Sequence, residues 1–401
     1  MEVKQEETMD NNELKKERIA LFKDTIQRND PKRIAHFGNL FSWKVLDAGY
    51  TLTEALYDYD VMENVIRDTA SKYKVDVIYE FGWRNPLQAI ESLGNKTYLI
   101  DDKTFTLNID DQCLMEEEEY DELISNPKKY LWEKLIPRKH RYLKDKNGTE
   151  AFRVFLKKYG EMGEYLGKAT RIMEEDYGLA SFFPQVVAFD AFGNGLELLF
   201  NSLRGIRGLS LDIRRFPDKV EAAIEALNET FVKPRLEKAK KVMGKGSSPD
   251  TCVDFNPVFF SHTIFNNKQF ERFYWPYMKM IADYLEEYDK LCYIFAEGDS
   301  SRFYEFYQEF PKNRIVLHVE QDDIFEAKKK LPNLTIAGGM PTTLLGKGTP
   351  DQCVAYVKKL IDKLAYDKNY IFSEDKMISF PYDCQPENLK AVCDYLYAFR
   401  Y

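Results

Sequence analysis

Three residues of this chain, Glu297, His318 and Glu320, have types and spacing that could do chemistry together. Carboxylate oxygens and imidazole nitrogens form a donor set for a divalent cation such as zinc, and a cation held that way polarises a bound oxygen. They sit in the stretch LCYIFAEGDSSRFYEFYQEFPKNRIVLHVEQDD, residues 291–323. Its apolar runs, 291–295 and 315–317, pass straight into polar residues, as buried parallel strands do where they end. A strand's period of two turns His318 and Glu320 the same way, and Phe303, Tyr304, Tyr307 and Phe310 between the runs mark a helix. The result is a βαβ unit, whose neighbouring strands bring Glu297 to the same mouth as His318 and Glu320, where ligands bind in α/β folds. Polar residues at strand ends also make ordinary solvated rims, so the residues alone leave both readings open.

The elements that must position these groups follow from the rest of the chain. Strands are expected at 75–81, 182–189, 251–255, 334–337 and 370–373, and helices at 150–177, 192–209, 217–243, 268–288, 324–331, 350–364 and 386–399. Such alternation over some 250 residues predicts a single (β/α)8 TIM barrel, with an open doubly wound sheet as the alternative. Residues 1–30 read as a charged N-terminal arm, helical only from residue 14 with its first dozen residues disordered, and 31–401 read as the barrel domain. Residues 94–150 differ in texture and read as an insertion; its acidic block at 116–119 and its basic segment IPRKHRYLK are expected to be solvated faces.

Composition excludes several classes. A net charge of -9 disfavours nucleic acid or an anionic membrane as partner. No apolar run is long enough to span a bilayer, and the charged N-terminus lacks the apolar core of a signal peptide, so the expectation is a cytoplasmic protein. The six cysteines form no C-x-x-C pair and are expected to stay reduced; Cys292 reads as core, while Cys384 lies in a loop that comes near a site. Neither G-x-G-x-x-G after a strand nor a phosphate loop nor G-x-S-x-G occurs, which removes the simplest nucleotide and serine-hydrolase readings. Trp83, Phe259, Phe260, Phe295 and Tyr382 fall in strand-end positions and offer an aromatic wall, although any of them also suits a core. His36 either faces this pocket or is structural.

Several blocks in register, LRGIRGLSLDIRRFPDKVEAAIEAL, FERFYWPYMKMIADYL, EGDSSRFYEF, DIFEAKKKLPNLTIAGGMPTTLLGKGTPDQCVAYVKKLI and PENLKAV, resemble the uroporphyrinogen decarboxylase superfamily over roughly residues 180–400. The resemblance implies a (β/α)8 barrel that either decarboxylates porphyrinogens or transfers methyl groups to a corrinoid. The decarboxylases carry an arginine-rich N-terminal signature for a polycarboxylate. The corresponding HFGNLFSWKVLDAGY has no arginine, so decarboxylation is the alternative and methyl transfer the main expectation.

Within that branch, thiol-dependent members bind zinc through H-x-C-G and a late cysteine; here the first motif reads Phe295-Ala296-Glu297-Gly298. The chain is similar to the members that demethylate aromatic methyl ethers, whose zinc motif is E-x14-E-x20-H. Glu297 and His318 keep the x20 spacing, while the position of the first Glu is Ala282. Glu320 is the expected third zinc ligand by strand parity, with Asp375 and Asp383 behind it. The resemblance thus implies a methyl donor:corrinoid protein Co-methyltransferase in which Glu297 and His318 are catalytic, and Trp83, Phe295, Tyr382 and Phe260 bind the aryl ether. Because D-x-H-x-x-G is absent, the cobalamin would arrive on a separate corrinoid protein. A hydroxyl beside the methoxy group is expected to contact the metal or Tyr382.

Overall fold

The computed structural model describes residues 10–401 apart from 80–81, 84, 96–97, 110–112, 145–147 and 184–193. Its main sheet has seven strands, β1 (Ala35–Gly38), β2 (Val77–Ile78), β5 (Val258–Phe259), β6 (Cys292–Ala296), β7 (Ile315–Val319), β8 (Thr335–Met340) and β9 (Tyr370–Glu374), in the spatial order β2-β1-β9-β8-β7-β6-β5. Every pairing in it is parallel. The remaining strands, β3 (Tyr98–Asp101) and β4 (Thr106–Ile109), form an antiparallel hairpin within the insertion. The runs CYIFA and IVLHV are buried at every position, as strands covered on both faces must be.

The sheet curls. Between its two outer strands the Ala180 N–H donates to Asp76 O, and the N–H groups of Cys252 and Val253 donate to Ser181 O and Phe182 O, each at 2.9 Å. Residues 180–182 therefore touch both edges. The strand expected at 182–189 would run on from there, but from 184 it lies outside the described residues. What is described is a curled parallel sheet of TIM-like type, ringed by helices.

One face of the sheet gathers Phe37, Val77, Phe182, Val253, Tyr293, Val316, Ala337 and Ile371 into an inner core. Helix Asn11–Gln27 sends Ile19, Leu21, Phe22 and Ile26 into the same cluster. Phe22 and Ile26 are fully buried, and each such side chain contributes about 1.5–3 kcal/mol. The N-terminal arm is thus part of the core. Its helix begins three residues before the apolar stripe, because the Leu14 N–H already bonds Asp10 O. A buried ion pair fixes it: Arg33 takes both oxygens of Asp76 at 2.8 and 2.7 Å, with Arg18 Nε 3.5 Å from Asp76 Oδ1. Ile294, Leu317, Ile336 and Phe372 face the opposite way and pack on the helices.

Other departures have local causes. Of the strand expected at 251–255 the structure keeps a parallel bridge from Phe255 to Cys292, while Asp254 turns its carboxylate to the N–H groups of Ser248 and Leu291 and the named strand β5 follows at 258–259. The helix expected at 217–243 is interrupted by a wide turn, Asn228–Val232, which absorbs Pro234 at the start of Lys233–Met243. The helix at 192–209 is likewise split into Gly195–Leu198, the wide turn Leu199–Leu203 and Gly205–Arg215. In the insertion the acidic and basic segments are not merely solvated faces: Arg138 holds Glu119 through two bonds of 2.6 and 2.7 Å and also donates to Leu114 O. Among the described residues no helix is long and apolar enough to cross a membrane.

A candidate active site at the strand ends

The register of the sheet decides which side chains meet. Phe295 pairs with His318, His318 with Ala337, Ala337 with Ile371 and Ile371 with Ala35, so these five form one row across the inner face. Two residues further along each strand, toward the carboxyl ends, come Glu297, Glu320, Ser373 and Phe37. The carboxylates therefore stand one pleat above an imidazole and a phenyl ring.

Glu320 reaches across to the end of β6, where its carboxylate accepts the Gly298 N–H. That brings it beside Glu297. Burial, and then the carboxylates of Glu320 and Glu197, push the Glu297 carboxyl up to about 8. Glu297 is thus neutral at pH 7 when no cation is near. Two such groups suit a divalent ion, whose charge offsets both the burial and the repulsion that keep the proton on.

His318 lies beneath them with no exposed surface. Its ring stacks on Phe295 at 4.3 Å between centroids. Burial pulls it down to about 4, so the imidazole is neutral at pH 7. Nε2 stands 3.3 Å from the Asp375 carbonyl, which only accepts, so Nε2 carries the hydrogen and Nδ1 accepts from the Tyr293 hydroxyl at 2.7 Å. The lone pair of the ring is then occupied. Gly338 makes room for it: at φ +103°, a Cβ added there would lie 3.3 Å from Nε2.

The structure brings Glu297 and Glu320 together and sets His318 apart from them. Among the described residues, no three histidine, cysteine or acidic side chains are gathered as a metal-binding group. The two carboxylates fit a cation, and the imidazole in this tautomer does not complete the set. Asp375, raised to about 6 by burial, accepts the N–H groups of Thr342 and Lys376. Asp383 is a loop staple, bonded to Lys376 Nζ and to the N–H groups of Ser379 and Phe380.

The expected substrate residues divide. Phe295 floors the site, and Phe260, half-buried after β5, follows Val258, which pairs with Phe295. Trp83 is buried at φ +58° and packs on Phe41, with ring centroids 4.9 Å apart and the planes tilted by 37°, on the β1 and β2 side of the mouth. Tyr382 is 64% exposed and stacked on Phe380, outside this enclosure. Phe259 points outward and meets Tyr274 edge-on. His36 also turns outward, against Phe372 and 4.0 Å from Glu374, and Cys384 is buried with its carbonyl accepting from Trp43 Nε1.

Glu197 was not legible from any motif. Its Oε1 accepts from the N–H groups of Phe260 and Ser261, from Ser261 Oγ and from Tyr274 Oη, all within 3.1 Å. Burial raises its pKa despite those donors. It fixes the loop that carries Phe260, and after burial and Glu320 it is a further cause of the raised Glu297 carboxyl. The sequence signal was a glutamate in an otherwise apolar helical turn, GLELLF.

Two cations among the described residues are committed to other partners. Lys376 pairs with Asp383, and Arg302 donates to the carbonyls of His262, Thr263, Phe265 and Asp299. Arg84 lies outside the described residues. A cleft of about 470 Å³ between helices, lined by Glu221, Arg272, Phe273 and Tyr277, is remote from the strand ends.

Residues 201–399 match the family model of uroporphyrinogen decarboxylase. No curated protein matches the chain. Among solved structures, a methyltransferase from Methanosarcina mazei superposes with a TM-score of 0.59 at 11% identity, over 96% of this chain and 98% of that one. At that identity the likeness is one of fold.

Proposed function

We propose that this member of the uroporphyrinogen decarboxylase superfamily is a zinc-dependent methyltransferase, moving a methyl group from an aromatic methyl ether to the Co(I) corrinoid of a separate protein. One observation carries the reading. Two carboxylates, Glu297 and Glu320, stand over the aromatic floor of Phe295 and His318, and among the described residues Lys376 is paired with Asp383 and not with them. Such a site suits a neutral ring and a cation rather than a polyanion.

Glu297 and Glu320 are the residues that would hold zinc. When bound there, the metal supplies Lewis-acid stabilisation of the ether oxygen as the methyl group departs, and carboxylate ligands leave it more electrophilic than thiolates would. Phe295 and Phe260 flank the ring. Glu197 keeps Phe260 in place through the two backbone N–H groups of its loop. Tyr293 and His318 form a rigid neutral floor that introduces no competing charge. The corrinoid would approach from the open side of the mouth on its own carrier protein.

The alternative, tetrapyrrole decarboxylation, needs cations converging on several carboxylates. The acidic pair Glu297 and Glu320 offers such a substrate no cation. The test is a methyl-transfer assay with zinc, cob(I)alamin and a corrinoid protein, comparing 2-methoxyphenol, methoxybenzene and a methylated amine. Turnover of the aryl ethers is expected. Turnover of the amine alone would overturn the ether assignment, and decarboxylation of a porphyrinogen without methyl transfer would overturn the whole reading.

A further inference from the structure

Asn39 follows β1, two residues beyond Phe37 and on the same face. Phe37 lies in the inner core and stacks on Tyr293 at 4.8 Å, whereas Leu40 belongs to the outer core. Strand parity therefore aims the Asn39 carboxamide inward, above Phe37 and toward the mouth. Its main chain is locked: the N–H donates to Glu374 Oε2 at 2.8 Å, and the carbonyl accepts from the Ile378 N–H at 3.0 Å. The side chain is the reverse. It is fully buried, and among the described residues neither Oδ1 nor Nδ2 has a partner.

Ser373 on the neighbouring β9 repeats the pattern. Ala35 pairs with Ile371, so Ser373 falls opposite Phe37, and its Oγ is also buried and unpartnered. A buried amide and hydroxyl left open on adjacent strands destabilise the empty fold, and a ligand that satisfies them recovers that loss. Asn39 offers one acceptor and two donors, so its complement is a neutral group that both donates and accepts. A hydroxyl does so. Ammonium does not accept, and an ether oxygen does not donate.

We infer that Asn39, assisted by Ser373, is the specificity residue of this mouth and recognises a hydroxyl carried on the substrate ring. The inference rests on the aryl-ether reading above and moves the hydroxyl contact from exposed Tyr382 to the inner face. A site built to bond a hydroxyl rejects the analogue lacking it far more strongly than an apolar pocket does.

The experiment measures binding of 2-methoxyphenol and methoxybenzene by titration calorimetry to the full chain and to Asn39→Leu, a replacement of similar volume without the polar atoms. The wild type should bind the hydroxylated ring about tenfold or more tightly over the other, and Asn39→Leu should bring the ratio near one. Its melting temperature should be equal or about 1–3 °C higher, since an unpaired amide has been removed. A ratio near one in the wild type, or a ratio that persists in the variant, overturns the inference, as does failure of both rings to bind. If circular dichroism shows that the leucine variant does not fold, Asn39→Ala decides by the same ratio. Methyl transfer without a hydroxyl preference removes the Asn39 role and leaves the methyltransferase; a hydroxyl preference without methyl transfer does the reverse.

Discussion

The Tyr293 hydroxyl and His318 Nδ1 stand 2.7 Å apart on adjacent strands, fully buried, with the second nitrogen of the ring directed at the Asp375 carbonyl. This pair fixes both the tautomer and the plane of the imidazole. Tyr293→Phe leaves Nδ1 unbonded and should cost about 1 kcal/mol of stability, whereas His318→Ala opens a cavity against Phe295 and should cost about 3–5 kcal/mol. Urea denaturation of the two variants checks the order. Equal losses would show that the tyrosine bond, and not ring packing, dominates.

Metal binding should displace a proton. Glu297 sits at about 8 without a cation, so zinc binding at pH 7 should release about one proton per ion, and close to none at pH 9. Calorimetry in two buffers of different ionisation enthalpy reads this directly. Glu297→Gln should release none and bind about 10 to 100-fold more weakly. His318→Ala should keep the metal where it remains folded; loss of zinc there would put the imidazole among the ligands.

The base of the fold depends on Asp76. Burial alone would raise its carboxyl, and Arg33, Arg18 and the His36 N–H together outweigh that and hold it below the usual carboxylate range. A carboxyl lowered by folding stabilises above its unfolded value and loses that contribution as pH falls through the folded one. Asp76→Asn should therefore cost about 3–5 kcal/mol at pH 7, with the gap to the wild type narrowing only below about pH 4. Guanidinium midpoints at pH 7, 5 and 3.5 test it. A gap that narrows between pH 7 and 5 would point to a different group.

Gly338 should tolerate no side chain. A Cβ there would stand 2.8 Å from Val319 O and 3.3 Å from His318 Nε2, at φ +103°. Gly338→Ala should cost about 1–3 kcal/mol in backbone strain and shift the His318 ring nitrogens in the nitrogen NMR spectrum. An unchanged spectrum would mean the strand relaxes away from the ring.

The βαβ unit, its strand ends and the outer helices were legible because unbroken apolar runs and 3.6-residue stripes are local properties of the chain. Glu297 and Glu320 could be paired from that alone, since strand parity and parallel order place them at one mouth. The absence of arginine from HFGNLFSWKVLDAGY was likewise legible in the sequence. Tertiary structure decided the rest. The tautomer of His318 depends on Tyr293, 25 residues away, and on a carbonyl 57 residues further on. The charge state of Glu297 depends first on its burial, then on Glu320 and on Glu197, a residue no motif marked. Tyr382 and Asn39 both follow strands, yet one is left in solvent and the other sealed beneath the mouth. Spacing sets which face of a strand a residue occupies; burial and neighbouring charge, which fix proton and bonding partner, arise only when distant segments meet.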